Sequence, residues 1–146
     1  MAISDTERRH RIAERCWEVY DLLVHTFSPP TEFHLIYPEQ AELALFTEVL
    51  QVHVVIGHEG EILDLSEEYI FPDRNFEVSF YSYVLLRADG QVLLRADPLP
   101  HHRVDHRNRP LENFPHHLHD NQGRVHSFEG QLKDFIERAK KLLKVR

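Results

Sequence analysis

The residues best suited to chemistry lie between positions 94 and 119, where two Pro-His-His triplets stand among arginines and aspartates. The triplets occupy residues 100–102 and 115–117, and further histidines follow at 106, 119 and 126. Prolines at 98, 100, 110 and 115 each fix φ and remove a backbone donor, so the segment is predicted to be a stiff loop. Loops that a scaffold holds in place often carry functional groups. We therefore predict a functional site on this His/Pro-rich loop.

Metal binding is one chemistry that these histidines allow. Imidazole is a common ligand of zinc, nickel and copper, and histidines separated by one or by three residues can reach the same ion. His117 and His119 have the first spacing, and His102 and His106 have the second. A zinc or nickel site on these four histidines is therefore one hypothesis.

Cleavage of a phosphodiester without a metal is a second chemistry. A histidine that titrates near neutrality can accept a hydroxyl proton, a second can protonate the leaving oxygen, and an arginine can hold the phosphate. Arg95, Asp97, His101 and His102 lie within eight residues of one another. Further contacts to RNA, through phosphate groups or base stacking, are predicted for five side chains: Arg103, Arg107, Arg109, Tyr81 and Tyr83. This mechanism needs no cofactor.

A structural role is the third possibility. Histidines beside prolines can hydrogen-bond to backbone carbonyls and to Asp97 or Glu68, and so fasten an irregular loop to a sheet. Residue type and spacing alone do not choose among these three roles.

The rest of the chain predicts helices at both ends and strands between them. Ser4 and Glu7 form a capping box before an apolar stripe that runs from Ile12 to Phe27. A second helix is predicted to begin after an N-cap at Ser127, with its apolar stripe over residues 128–143. Alternating apolar residues predict strands over residues 33–37, 48–56, 62–71, 76–85 and 92–94, and the Asp-Gly pair at 89–90 predicts a hairpin. Residues 39–46 fit either a helical turn or a strand.

Length and composition set the broad class, which is α+β. The chain of 146 residues predicts a single domain over 1–146: a four- to five-stranded antiparallel meander sheet with an N-terminal and a C-terminal helix packed on it, and the His/Pro-rich loop across one end. Cys16 is the only cysteine, which excludes an internal disulfide and fits a reducing compartment. No apolar run approaches the roughly 18 residues of a membrane span, so a soluble cytoplasmic protein without a membrane partner is expected.

Charge is distributed unevenly along the chain. The net charge is −7, but residues 1–94 hold 17 acidic against six basic side chains, whereas residues 95–146 hold 11 basic against seven acidic ones. An anionic partner such as RNA is therefore expected to approach the C-terminal third.

Residues 57–119 resemble the TumE-type toxin family of bacterial and archaeal toxin–antitoxin systems. The resemblance is carried by Glu-Tyr at 68–69, Tyr-Ser-Tyr at 81–83, Asp-Gly at 89–90, Arg-x-Asp-x-x-Pro-His-His at 95–102 and Phe-Pro-His-His-x-His at 114–119. The sequence departs from the family pattern at Ala96 and Pro98, where Tyr and Asn are usual.

The resemblance implies a toxin, encoded beside a helix-turn-helix antitoxin, that acts on RNA as a metal-independent endoribonuclease. In this hypothesis Arg95 clamps the phosphate, and His102 and His117 form the acid–base pair. Asp97 orients one imidazole, and the remaining histidines of the two motifs assist: His101, His116 and His119. A homodimer is a further possibility. The alternative is a non-catalytic binding module whose histidine-rich loop holds a transition metal or a protein partner.

Overall fold

The computed structural model describes residues 3–27, 32–36, 48–56 and 59–144, and these form one α+β unit. Two helices flank seven strands: α1 (Asp5–Thr26), β1 (Glu32–Ile36), β2 (Glu48–Val55), β3 (Ile62–Ile70), β4 (Glu77–Leu86), β5 (Val92–Asp97), β6 (His117–Asp120), β7 (Val125–Ser127) and α2 (Leu132–Lys144). The strands pair antiparallel in chain order, as a meander. The predicted fold is therefore confirmed, with seven strands in the described residues rather than four or five. Residues 39–46 lie outside the described part of the chain.

Alternation along the central strands determines which face the helices cover. Leu50, Val52 and Val54 on β2 are buried, as are Leu63 and Leu65 on β3. These residues share one core with the buried side chains of both helices. Because successive strand residues point to opposite faces, the sheet has one face under the helices and one face away from them.

The termini of α1 and α2 follow local chemistry. The Ser4 hydroxyl accepts a hydrogen bond from the Glu7 N–H at 3.2 Å, which is half of the predicted capping box. The predicted start of the second helix after Ser127 is wrong. Ser127 belongs to β7, and Gly130 has a left-handed, non-helical backbone at φ +87°, so α2 begins only at Leu132. None of the helices in the described residues is long and apolar enough to cross a membrane.

The β4–β5 hairpin places the first half of the functional loop. Gly90 has φ +93°, and its N–H donates to the Arg87 carbonyl at 2.9 Å. Asp89 does not have the positive φ that a two-residue type I′ turn requires, so the connection is a three-residue loop with a bulge. The predicted hairpin is confirmed, but β5 continues to Asp97, three residues beyond the predicted strand.

Both ends of the segment predicted as loop are in fact strands. β5 extends to residue 97 and β6 begins at residue 117, so only residues 98–116 connect them. A tight turn then leads from β6 to β7, in which the Asp120 carboxylate accepts the N–H groups of Gln122 and Arg124 at 2.9 and 3.0 Å. The prolines, at 98, 100, 110 and 115, all lie in the connection.

Candidate metal centre

Strand register brings the two histidine motifs together. In the β5–β6 pair, Arg95 lies opposite His119 and Asp97 lies opposite His117. Residues directly opposite in an antiparallel pair project from the same face. Ala96, between the two β5 residues, is fully buried in the core under the helices. The four polar side chains therefore lie on the sheet face away from the helices.

The connecting loop adds two more imidazoles to this face. The ring centroids of His101 and His117 are 4.9 Å apart, and those of His102 and His119 are 5.0 Å apart. One nitrogen from each of the four rings lies within 4.8 Å of one nitrogen from every other ring. His101 is exposed, His102 and His119 are half-buried, and His117 is completely buried. We call these four residues the histidine cluster.

The hydrogen bond of His117 fixes where its proton lies. Its Nδ1 is 3.0 Å from the carbonyl oxygen of Pro115. A carbonyl only accepts, so Nδ1 carries the proton and, in the neutral ring, Nε2 carries a lone pair. That Nε2 is buried and has no hydrogen-bond partner, and Nε2 of His119 is in the same condition. A lone pair held in place by a hydrogen bond on the other ring nitrogen is the usual preparation of a metal ligand.

Asp97 faces the orphaned nitrogen of His117. Its Oδ1 is 3.6 Å from His117 Nε2 and accepts the Leu99 N–H at 2.9 Å. Its Oδ2 is 3.5 Å from Nε of Arg95, whose side chain is 44% exposed. Two lone pairs 3.6 Å apart repel each other unless a proton or a cation lies between them. The predicted role of Asp97, orienting an imidazole by accepting its N–H, is not the role it has with His117, because that N–H goes to Pro115.

The environment of the cluster favours the neutral form of two of its imidazoles, His119 and His102. Burial lowers the pKa of His119 to about 4, and repulsion from His117 and Arg95 acts in the same direction. Burial and repulsion from His101 also lower the pKa of His102. The neutral form is the one that binds metals.

Two of the predicted site histidines lie elsewhere. Nδ1 of His106 is 2.9 Å from the Val125 carbonyl oxygen, and its ring contacts that of His126 at a centroid distance of 4.5 Å. His106 is therefore not in the cluster. The fourth histidine of the cluster is His101 and not the predicted His106. Nδ1 of His116 is 2.8 Å from the hydroxyl of Tyr81, on the core side of the sheet. Consecutive residues of an extended chain point in opposite directions, which separates His116 from His117.

The predicted stacking of bases on Tyr81 and Tyr83 is wrong. The two side chains are only 3% and 1% exposed, because they share the core face of β4 with Leu85. The Tyr83 hydroxyl donates to Glu67 at 2.5 Å. Both tyrosines are core residues with satisfied hydroxyls.

The predicted phosphate-binding arginines lie on a stiff hairpin over residues 103–111. The Leu111 N–H donates to the Arg103 carbonyl at 3.0 Å, and the Asp105 carboxylate accepts the N–H groups of Arg107 and Arg109 at 2.8 and 3.0 Å. All three arginine side chains are exposed, and the Arg103 guanidinium lies over the ring of Phe114, 4.9 Å from its centroid. This hairpin directly follows His102 in the chain.

A buried carboxylate on β3 was missed from the sequence. Glu67 accepts two hydrogen bonds from Arg15 of α1, both at 2.8 Å, and others from the hydroxyls of Tyr69 and Tyr83. Burial by itself would raise the pKa of Glu67, but the hydrogen bonds and charge of Arg15 outweigh it and hold that pKa below its ordinary value. The signal in the sequence was an acid in phase with Leu65 and Tyr69 on the core face of a strand.

Comparisons of the chain with protein-family models, with curated proteins and with solved structures found no match. The resemblance to the TumE-type family therefore stays a prediction based on motifs.

Proposed function

We propose that this protein binds one divalent transition metal ion through the histidine cluster, residues 101, 102, 117 and 119. The observation that carries the proposal is the convergence of four imidazoles, with one nitrogen of each ring within 4.8 Å of the others. In the same cluster, Nε2 of His117 and Nε2 of His119 are buried and have no hydrogen-bond partner. Burying a polar nitrogen unpaired costs about 1–3 kcal/mol, and a bound cation removes that cost. An all-imidazole set suits zinc, nickel or copper better than calcium or magnesium, which prefer oxygen.

The distances fit a site that closes slightly when it binds metal. With zinc–nitrogen bonds of about 2.0–2.1 Å, the ligand nitrogens of a tetrahedral site are about 3.4 Å apart. The widest separation in the cluster is therefore within about 1.4 Å of that spacing. His101 is on the loop and exposed, so its rotation can supply the closure, whereas buried His117 is already fixed.

The contacts that hold two of the rings in place distinguish this cluster from surface histidines that bind nickel adventitiously. Pro115 holds the ring of His117 through its carbonyl, and the β5–β6 pairing fixes His119. Metal bound here would tie the loop that carries His101 to the strand that carries His117. The proposed centre thus stabilises the loop on which it lies.

Metal content tests the proposal directly. We expect untagged protein, dialysed after incubation with zinc, to retain about one ion per chain by elemental analysis. His117→Ala and His119→Ala should lose that ion. His106→Ala is the matched control, because His106 lies on the same loop and outside the cluster, and it should retain the ion. Metal-free wild-type protein, or equal loss in the control, contradicts the proposal.

The second candidate function is an RNA-cleaving toxin paired with a helix-turn-helix antitoxin, as the family resemblance implies. The half-exposed side chain of Arg95, opposite His119 in the strand register, favours an RNA phosphate as ligand, and three further exposed arginines follow on the hairpin over residues 103–111. The predicted metal-free pair of His102 and His117 is disfavoured, because His117 is completely buried and cannot reach a ribose hydroxyl. In this candidate three imidazoles of the cluster would hold the ion, which would supply Lewis-acid activation of water or of the phosphate at the open position.

An RNA-cleavage assay with and without chelator separates the two mechanisms. Cleavage that requires zinc and is lost in His119→Ala supports the metal-dependent toxin. Cleavage that survives the chelator and is lost in His102→Ala supports the acid–base mechanism. A metal-loaded protein that cleaves no RNA remains a binding module.

A further inference from the structure

We infer that Arg95 forms a binding site for a phosphate group beside the histidine cluster, and that metal loading strengthens this site. The inference rests on the proposed metal centre. Arg95 lies opposite His119 in the strand register, and its side chain is 44% exposed. Its one ion pair within the described residues is from Nε to Asp97 Oδ2, at 3.5 Å. The two Nη groups of its guanidinium fork are therefore available to an external anion.

The negative charge of Asp97 explains why metal binding should strengthen the binding of phosphate at Arg95. Its carboxylate is buried between His117 Nε2, at 3.6 Å, and Arg95 Nε, at 3.5 Å. Charge-assisted hydrogen bonds are about 2.7–2.9 Å long, so the carboxylate is tightly bonded to neither group. Without metal, its negative charge lies next to the place where a phosphate would bind. A divalent cation in the cluster reverses the sign of the local charge and attracts the anion.

Guanidinium geometry and the surrounding charges identify the ligand class. An arginine fork matches the paired oxygens of phosphate or carboxylate, and the negative charge of phosphate gives it the larger gain from a nearby cation. Three further exposed arginines follow in the chain, on the hairpin over residues 103–111: Arg103, Arg107 and Arg109. The phosphate group can belong to free phosphate or to the backbone of an RNA, and the hairpin distinguishes these two sources.

Titration of the full chain with inorganic phosphate, followed by calorimetry, tests the site. We expect zinc-loaded protein to bind phosphate about tenfold more tightly than chelator-treated protein. Arg95→Gln should abolish this increase while it leaves the zinc content unchanged. Lys141→Gln removes the same charge from an exposed position on α2 and should keep the increase. A zinc-dependent increase that persists in Arg95→Gln overturns the inference and places the anion on the metal alone.

A second variant tests Arg95 without any metal. Asp97→Asn removes the competing charge, so metal-free Asp97→Asn protein should bind phosphate several-fold more tightly than metal-free wild type. Adding Arg95→Gln to this variant should remove the gain. If wild type binds no zinc, the proposed metal centre fails, and this arm still decides whether Arg95 binds phosphate. If zinc binds but neither arm shows a role for Arg95, only the present inference fails.

A short single-stranded RNA then identifies the source of the phosphate. Arg107→Gln should weaken binding of the RNA by several-fold and leave binding of inorganic phosphate unchanged, because the hairpin that carries Arg107 is hydrogen-bonded to β7 and β6 lies between β7 and β5. Unchanged RNA binding in this variant assigns the site to small phosphates.

Discussion

Two buried ionisable groups on opposite faces of the same sheet differ in how completely they are bonded. Glu67 is 3% exposed and accepts hydrogen bonds from Arg15, Tyr69 and Tyr83. His117 is fully buried, makes one hydrogen bond, and leaves Nε2 without a partner. Buried polar groups are nearly always satisfied in folded proteins. Burial alone therefore does not identify a site. The unmet bonding capacity of His117, together with the three imidazoles that converge with it, supports the proposed site, whereas the satisfied Glu67 connects α1 to the sheet.

The largest expected effect comes from breaking the satisfied network. Glu67→Ala leaves two buried tyrosine hydroxyls unpaired and leaves the Arg15 side chain, which is 21% exposed, with the exposed Glu18 as its remaining ion-pair partner among the described residues. We expect the free energy of unfolding to fall by about 3–5 kcal/mol. Urea denaturation measures this loss. Glu14→Ala, in an exposed pair with His10, is the matched control and should change stability by less than about 1 kcal/mol. Equal losses of stability in the two variants would show that the hydrogen bonds of Glu67 contribute no more than an exposed ion pair does.

Zinc bound at the histidine cluster should raise the free energy of unfolding, by somewhat less than Glu67→Ala lowers it. A ligand present at 100 times its dissociation constant adds about 2.7 kcal/mol to the free energy of unfolding, which appears as a rise in the melting temperature. The rise should be absent in His119→Ala and unchanged in His126→Ala, a histidine outside the cluster. It should also be unchanged in Glu67→Gln, because the two regions lie on opposite faces and share no partner. A smaller rise in Glu67→Gln would indicate coupling through the sheet.

The sequence predicted the scaffold better than the boundaries of the site. Strands β2 to β4 could be predicted because their apolar residues alternate, as Leu63 and Leu65 do. The short strands β6 and β7 could not, since His119 and Ser127 hide the alternation and four neighbouring prolines suggested a loop. The predicted strand over residues 92–94 ended three residues too early, and the register of Arg95 and Asp97 with β6 determines where these two side chains lie.

The histidine set shows why spacing alone is insufficient. Spacing indicated that His102, His117 and His119 could converge, and they do. It could not show that His116 points to the core, because only the placement of the chain in space decides which side an adjacent residue faces. It also favoured His106 over His101, although the intervening turn carries His106 to β7.

Acid should affect the satisfied network through the titration of Glu67. Its pKa is lower in the folded protein than the ordinary value of about 4.3, so the unfolded chain binds the proton more readily. The stability from this group is complete above that ordinary value and is lost as the pH falls through the lowered folded value. We expect stability measured between pH 6 and pH 2 to fall less steeply in Glu67→Gln than in wild type. Parallel curves would mean that other carboxylates dominate acid unfolding.

The smallest expected effect distinguishes His116 from His117, the two histidines of the second Pro-His-His triplet. Tyr81→Phe removes the hydroxyl that bonds to Nδ1 of His116 at 2.8 Å, and a lost neutral hydrogen bond costs about 0.5–1.5 kcal/mol. Chemical denaturation should detect this decrease, while the zinc content stays as in wild type, because His116 lies on the core side and His117 on the other. His117→Ala should show the reverse dependence, with the zinc content lost. If Tyr81→Phe also lowered the zinc content, the two faces would be coupled through the peptide that joins these histidines, and the core would help to position the metal ligands.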